Sequence, residues 1–423
     1  MNATCVETER VSFDEASRIL NKAIESLDTE TVPLQEALGR VAAENIIARE
    51  DLVPYARSAM DGYAVRAEDT LHASTILPIA LPIAERAFAG DAQASLTRAT
   101  AIRITTGAPI PVNSDAVIPQ ERVAFRNGMI FVDHPVPTGD CIFPPAEDVR
   151  SGEVLLKRGS LVTPGTMGLL AFTGQARLIL YRRPRVSLLC TGSELVEVSE
   201  EPRCGQVRNS NAFTLSALLT ECGAETRYCG TVIDDGDDLR SALESALEGS
   251  DLLITTGGAS VGERDFVKAV LEEMGAEFEF RRAAIRPGKP FAFARWHGVP
   301  VCVLPGNPAA AFVCYQEFVR PALLRMAGRE KVELPVVNAT LRGRAKSKAG
   351  SRYILFAKLS TTRSGFVVEP LPNQCSALVR NPAIANALIL LPEGPATFAT
   401  GATVAAHVLS WETVVEANCV AVG

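Results

Sequence analysis

The chain has 423 residues, with 42 Lys+Arg against 49 Asp+Glu for a net charge of −7, and it is 47% hydrophobic and 22% charged. At about 150 residues per domain the length predicts roughly three domains, and the composition is that of a chain folded throughout rather than a disordered one. The mild negative charge excludes a general basic surface for nucleic acid or for an anionic membrane, so any anionic ligand has to be met by a local site.

The amino terminus, Met1-Asn2-Ala3-Thr4-Cys5-Val6-Glu7, has neither a basic n-region nor an apolar h-region, and no segment approaches the ~18 consecutive apolar residues of a membrane span. The expectation is a cytoplasmic protein. Residues 12–27 carry apolar side chains at helical spacing, and Ser12 precedes Glu15 by three positions, so a capping box and an amphipathic helix are predicted. From about 52 to 146, short β-like runs such as Ala101–Thr105 and Met129–Val132 alternate with Pro and Gly punctuation. This predicts a small β-rich domain, in which Ser58–Ala64 and Thr105–Pro109 read as polar turns.

Between 185 and 328 apolar runs alternate with segments of helical period. The strands are expected at Val186–Cys190, Glu225–Ile233, Asp251–Thr256 and Val299–Leu304, and the helices at Ala212–Cys222, Asp238–Leu247, Arg264–Met274 and Ala309–Met326. That alternation predicts a doubly wound parallel α/β sheet. After Gly328 short strands return (Val336–Leu341, Tyr353–Leu359, Phe366–Glu369, Ala387–Leu391, Thr403–Val408), which predicts a separate C-terminal β domain. The ten cysteines are scattered without a C-x-x-C pair and are expected to be reduced and mostly buried. Four widely spaced histidines argue against a His-rich zinc site, so a metal would be a hard cation held by carboxylates.

In an open parallel sheet, ligands sit beyond the carboxyl ends of the strands. Four turns therefore face one crevice: Thr191–Glu194, Asp234–Asp238, Thr256–Asp265 and Pro305–Pro308. The glycines Gly257 and Gly258, with Ser260, suit a phosphate nest leading into a helix, or else a plain strand-to-helix turn that needs positive φ. Glu194, Asp234 and Asp265 come from three of these loops. Each alone could cap a helix, whereas together they would repel one another unless a divalent cation such as Mg²⁺ neutralised them. Arg282, Arg286 and Lys289 lie in a turn shaped by Pro287, Gly288 and Pro290, either as an anion clamp or as a solvated loop. In Pro305-Gly306-Asn307-Pro308, Asn307 is expected as a helix N-cap with Pro308 at the first helical position.

Taken together and in order, Ser58–Ala64, Thr106–Pro109, Glu147-Asp148-Val149, Thr191–Leu195, Thr256–Asp265, Pro287–Pro290 and Pro305–Pro308 resemble the molybdopterin molybdenumtransferase family and its relative, the E domain of the scaffold protein gephyrin. The resemblance spans about residues 12–410. It implies a multidomain α/β protein: an N-terminal extended domain (1–52 with 147–181), a β-rich domain (53–146), a molybdopterin-adenylyltransferase-like α/β domain (182–328) and a C-terminal β domain (329–423). It also implies a homodimer with shared active sites that inserts molybdate into adenylyl-molybdopterin with release of AMP and dependence on Mg²⁺, fed by an upstream adenylyltransferase. By motif, Asp61, Thr106, Asp148, Glu194, Asp234 and Asp265 would be the catalytic set, with Glu194, Asp234 and Asp265 holding the metal. Gly257, Gly258, Ser260, Arg282, Arg286, Lys289, Pro305, Pro308, Arg352 and Ser376 would bind substrate. Alternatives are a related adenylyltransferase or a non-catalytic scaffold; the latter is motivated by Cys375-Ser376-Ala377 standing where the family has Gly-Ser-Gly.

Overall fold

The computed structural model describes residues 10–233, 236–257 and 266–416. Its central unit is a six-stranded sheet ordered, from one edge, Glu225–Val232, Arg185–Thr191, Leu252–Thr256, Val299–Leu304, Ala292–Trp296 and Glu277–Phe280. The first four strands are parallel, and the last two are antiparallel additions at one edge. Leu252–Thr256 is buried at every position, as expected for a strand covered on both faces. Helices Ser210–Glu221 and Pro308–Cys314 pack on one face, while Gly236–Leu247 and Phe266–Glu273 pack on the other.

The sheet is thus mixed rather than all-parallel. His297 and Gly298, at φ 49° and 81°, form a two-residue turn that joins Ala292–Trp296 to Val299–Leu304, with Trp296 opposite Val299. Positive φ at both central residues matches the twist of a hairpin, so the chain doubles back where a crossover helix would otherwise be needed. Phe280, Phe291 and Phe293 are fully buried around this addition, each contributing roughly 1.5–3 kcal/mol of burial.

Half of the expected capping box forms: Ser12 Oγ accepts from the Glu15 amide at 3.1 Å, but the Glu15 carboxylate turns to Arg18 instead of returning to the cap, and the helix ends at Ala23. Phe13, Ala16 and Leu20 face the α/β core, and Phe13 lies 5.1 Å from Phe318. Thr29–Pro33 then pairs with Arg177–Tyr181, and Ile46–Ile47 with Val154–Leu156. The β-rich segment between these strands is a six-stranded sheet ordered Ala116–Pro119, Gly62–Val65, Ala101–Ile104, Ile79–Ala87, Met129–Val132, Ala124–Arg126. Where a polar turn is expected over Ser58–Ala64, the structure has a buried strand from Gly62 onward. A Cβ at Gly62 would stand 2.0 Å from the Ile118 carbonyl oxygen, so glycine is required for the two backbones to meet.

The C-terminal sheet has seven strands and takes in a piece of the α/β unit, since Ile285–Arg286 pairs in parallel with Arg352 and Tyr353. The single helix expected over Ala309–Met326 is divided into Pro308–Cys314, a π-turn at Tyr315–Val319 and Arg320–Met326. Pro321 explains the break: it has no N–H for the Glu317 carbonyl and its ring collides with that turn, which the wider π geometry relieves. Eight cysteines lie among the described residues, all as free thiols, and three of them, Cys190, Cys302 and Cys314, are buried; Cys204 and Cys375 are exposed, against the expectation of mostly buried thiols. Burial pushes Cys190 up to about 11 and Cys302 to about 12, so both stay protonated at neutral pH. Among the described residues no helix is long and apolar enough to cross a membrane.

Candidate functional site

Two adjoining cavities open beyond the carboxyl ends of the parallel strands and share a wall of Pro290, Pro305 and Asn307. The first, about 670 Å³, is lined by the strand ends Thr191 and Thr256, by Gly257, by Arg208 and by Glu194, its one lining carboxylate among the described residues. Asn209, Ser210 and Asn211 bring the start of helix Ser210–Glu221 to the same place. Asn209 Oδ1 accepts from the Ala212 amide at 3.0 Å, so this N-cap leaves the amides of the first turn near the cavity.

The floor is held by a buried polar network. Asn211 Nδ2 donates to Thr256 Oγ1 at 2.9 Å and to the Gly306 carbonyl at 2.8 Å, while Thr256 Oγ1 donates to the Pro305 carbonyl at 3.0 Å. These bonds clamp two adjacent strand ends. Gly257, at φ 104°, lets the loop pass so close that a Cβ would stand 1.9 Å from the Thr191 carbonyl oxygen. Thr191 Oγ1 is buried and has no hydrogen-bond partner among the described residues, a hydroxyl that a bound polar group would satisfy.

The second cavity, about 810 Å³, is far more cationic. Arg10, Arg286, Lys289, Lys346 and Lys348 line it, among the described residues without a carboxylate, beside Tyr353, Cys375 and Ser376. The strand pairing of Ile285–Arg286 with the C-terminal sheet sets the guanidinium of Arg286 over the Tyr353 ring, 5.5 Å from its centre. Asn307 does not cap its helix through its side chain. The Ala309 amide is already taken by the Ser376 carbonyl at 3.0 Å, and Asn307 Nδ2 donates instead to Ser376 Oγ at 3.2 Å, tying the α/β turn to the C-terminal unit.

The expected site residues therefore separate into groups. Glu194, Gly257, Pro305 and Pro308 meet at the first cavity, and Arg286, Lys289, Pro305 and Ser376 meet at the second. Asp61 and Thr106 meet each other on the exposed edge of the β-rich unit, where Asp61 Oδ1 accepts from the Thr106 amide at 2.7 Å and from its hydroxyl at 2.8 Å. Those two bonds hold the Asp61 carboxyl below its ordinary value. Asp148 is exposed in the loop after Ala146 and, like Asp61 and Thr106, lines neither cavity. Arg282 lines neither, and Arg352 turns to helix Phe13–Ala23, where it pairs with Asp14 at 3.1 Å and stacks over Phe13 at 4.6 Å. Asp234, Gly258, Ser260 and Asp265 lie outside the described residues. Asn209–Asn211, Lys346 and Lys348 were not anticipated as site residues, although the Asn-Ser-Asn before an apolar helical run is an N-cap signal that points at the cleft.

Residues 11–174 match the family description "MoeA N-terminal region (domain I and II)", residues 187–325 "Probable molybdopterin binding domain" and residues 338–409 "MoeA C-terminal region (domain IV)". The chain is 40% identical over 329 residues to the molybdopterin molybdenumtransferase of Haemophilus influenzae, covering 77% of this chain and 80% of that protein. It is 36% identical over 400 residues to that of Bacillus subtilis, covering 93% of each. Among solved structures it is similar to a molybdopterin biosynthesis protein from Pyrococcus horikoshii, with a TM-score of 0.81 and 31% identity over 95% of this chain and 100% of that one. A molybdenum cofactor biosynthesis protein from Pyrococcus furiosus shares the fold at a TM-score of 0.58 and 20% identity, over 95% of this chain and 100% of that one.

Proposed function

We infer that this chain, which belongs to the molybdopterin molybdenumtransferase family and is an enzyme of molybdenum-cofactor biosynthesis, inserts molybdate into adenylyl-molybdopterin and releases AMP. The observation that carries the reading is the pair of cavities with different chemistry and a common wall. The first offers amides, hydroxyls, the Arg208 guanidinium and one carboxylate, a set suited to a phosphoanhydride. Its neighbour offers five cations beside hydroxyl groups, a set suited to a tetraoxo dianion. A metal-insertion reaction that spends an anhydride needs both within reach of one substrate.

In this reading the unpartnered Thr191 hydroxyl and the amides at the start of helix Ser210–Glu221 hold phosphate oxygens, and Gly257 lets them approach the backbone. Lys289 and Arg286 hold molybdate, with Ser376 fixed by Asn307 at the edge of the same cavity. Glu194, an oxygen donor at the rim of the first cavity, fits a hard cation that keeps waters and takes its other ligands from phosphate. Glu194, with Asp234 and Asp265, would hold Mg²⁺, which when bound supplies Lewis-acid polarisation of a phosphoryl oxygen. The same reading makes the working unit a homodimer in which Asp61, Thr106 and Asp148, none of them at their own chain's cavities, complete the site of the partner subunit. An upstream adenylyltransferase supplies the activated substrate.

Incubation with adenylyl-molybdopterin, Mg²⁺ and molybdate is expected to release AMP and leave molybdenum on the dithiolene, with loss of AMP release on chelation. Substrate that binds and yields no AMP would sink the reading.

A further inference from the structure

The cationic cavity continues outward. A third hollow, about 470 Å³, shares Lys346, Leu355 and Gln374 with it and adds Arg342, Arg344 and Glu369. Along this rim the sequence Arg342-Gly343-Arg344-Ala345-Lys346-Ser347-Lys348 puts a cation at every second position. Strand Ala345–Ser347 converts that period into a face: Ala345 and Ser347 are buried, whereas Arg344, Lys346 and Lys348 are exposed on the other side. Successive cations on such a strand are spaced by roughly 6.7 Å.

The stripe is unpaired. Among the described residues none of Arg342, Arg344, Lys346 and Lys348 makes an ion pair, and two acids of neighbouring segments have other partners. Asp14 pairs with Arg352, and Glu393 accepts from the Phe13 amide at 3.0 Å. Glu369, the one carboxylate lining the outer hollow among the described residues, stands opposite Lys358 in the strand register and is outnumbered by Arg342, Arg344 and Lys346 in that hollow. In a chain of net charge −7, four neighbouring cations without ion pairs form a local field of the opposite sign that reaches the cavity lined by Lys289 and Arg286.

We propose that the stripe Arg342–Lys348 is an approach track that gathers small tetraoxo dianions from solution and passes them to the cationic cavity. This rests on the assignment of that cavity to molybdate. The track acts by charge rather than by shape, since its outer members lie on an open surface and, among the described residues, no hydrogen-bonded partner pre-positions their side chains. A field of this kind raises the local concentration of a dianion and fades once salt shortens the screening length.

The test is equilibrium dialysis of molybdate against the full chain, with bound molybdenum counted by mass spectrometry. Arg342→Gln/Arg344→Gln is expected to bind about three- to tenfold more weakly than wild type at about 20 mM salt and within about twofold of it at about 500 mM, because the Debye length shrinks to a few ångströms. Arg342→Lys/Arg344→Lys, which keeps the charge, should bind as wild type does and controls for folding, while Lys289→Ala should weaken binding at both salt concentrations. Equal binding by wild type and the Gln variant at low salt overturns the track, as does a deficit that persists at high salt. Should AMP release fail while this salt-dependent difference holds, the reaction assigned above falls and the track stands.

Discussion

Asp61 and Thr106 are separated by 45 positions but behave as one group. The Thr106 amide and hydroxyl both donate to one carboxylate oxygen, and the backbone bond is the larger cause of the lowered Asp61 pKa. The folded value lies below the ordinary 3.8, so the stabilisation from this contact is complete above that value and is lost as pH falls through the lowered one. The carboxylate is thus kept ionised wherever the enzyme works. Thr106→Val removes one of the two donors and leaves the amide. Carbon-detected NMR titration of Asp61 should show its midpoint move upward, part of the way to the ordinary value; an unmoved midpoint would show that the amide alone sets it.

At the scale of elements, what was legible in the sequence was what local chemistry determines. Three of the four parallel strands are largely apolar runs, whereas the edge strand Glu225–Val232 mixes polar and apolar residues and is nowhere fully buried, and Val299–Leu304, Val336–Leu341, Ala387–Leu391 and Thr403–Val408 fall where the pattern puts them. The antiparallel edge was not legible, because Trp-His-Gly is a weak turn signal and the positive φ of His297 appears only once the twist of the hairpin imposes it. The side-chain role of Asn307 was equally hidden: a carbonyl from the C-terminal unit, 67 residues beyond Ala309, occupies the amide it was expected to cap. The π-turn likewise follows from Pro321, yet its consequence is tertiary. It carries Glu317, 3% exposed, whose carboxylate meets His407 Nδ1 at 2.8 Å on strand Thr403–Val408. His407→Ala leaves that carboxylate buried without its partner, at a cost of about 3 kcal/mol. A thermal melt should drop by several degrees, with partial recovery in His407→Gln, which can still donate; an unchanged melt would show that water replaces the imidazole.

Seen as a whole molecule, the candidate machinery is split between separate surfaces. Glu194 and Lys289 stand at the carboxyl edge of the α/β sheet, whereas Asp61 and Thr106 lie on the β-rich unit and line neither cavity. If each working site borrows Asp61 from the partner subunit, damage can be complemented. Asp61→Ala and Glu194→Gln homodimers should each lose most activity, since both of their sites are defective. In a mixed dimer one site receives Asp61 from the Glu194→Gln subunit and Glu194 from the Asp61→Ala subunit and is intact, while the other carries both defects. Equal amounts of the two chains, unfolded and reassembled together, give mixed dimers as half the population, so AMP release should return to about one quarter of the wild-type rate. A site built within one chain has no such route. Both sites of every dimer then stay defective, and the mixture should be no more active than its two parents.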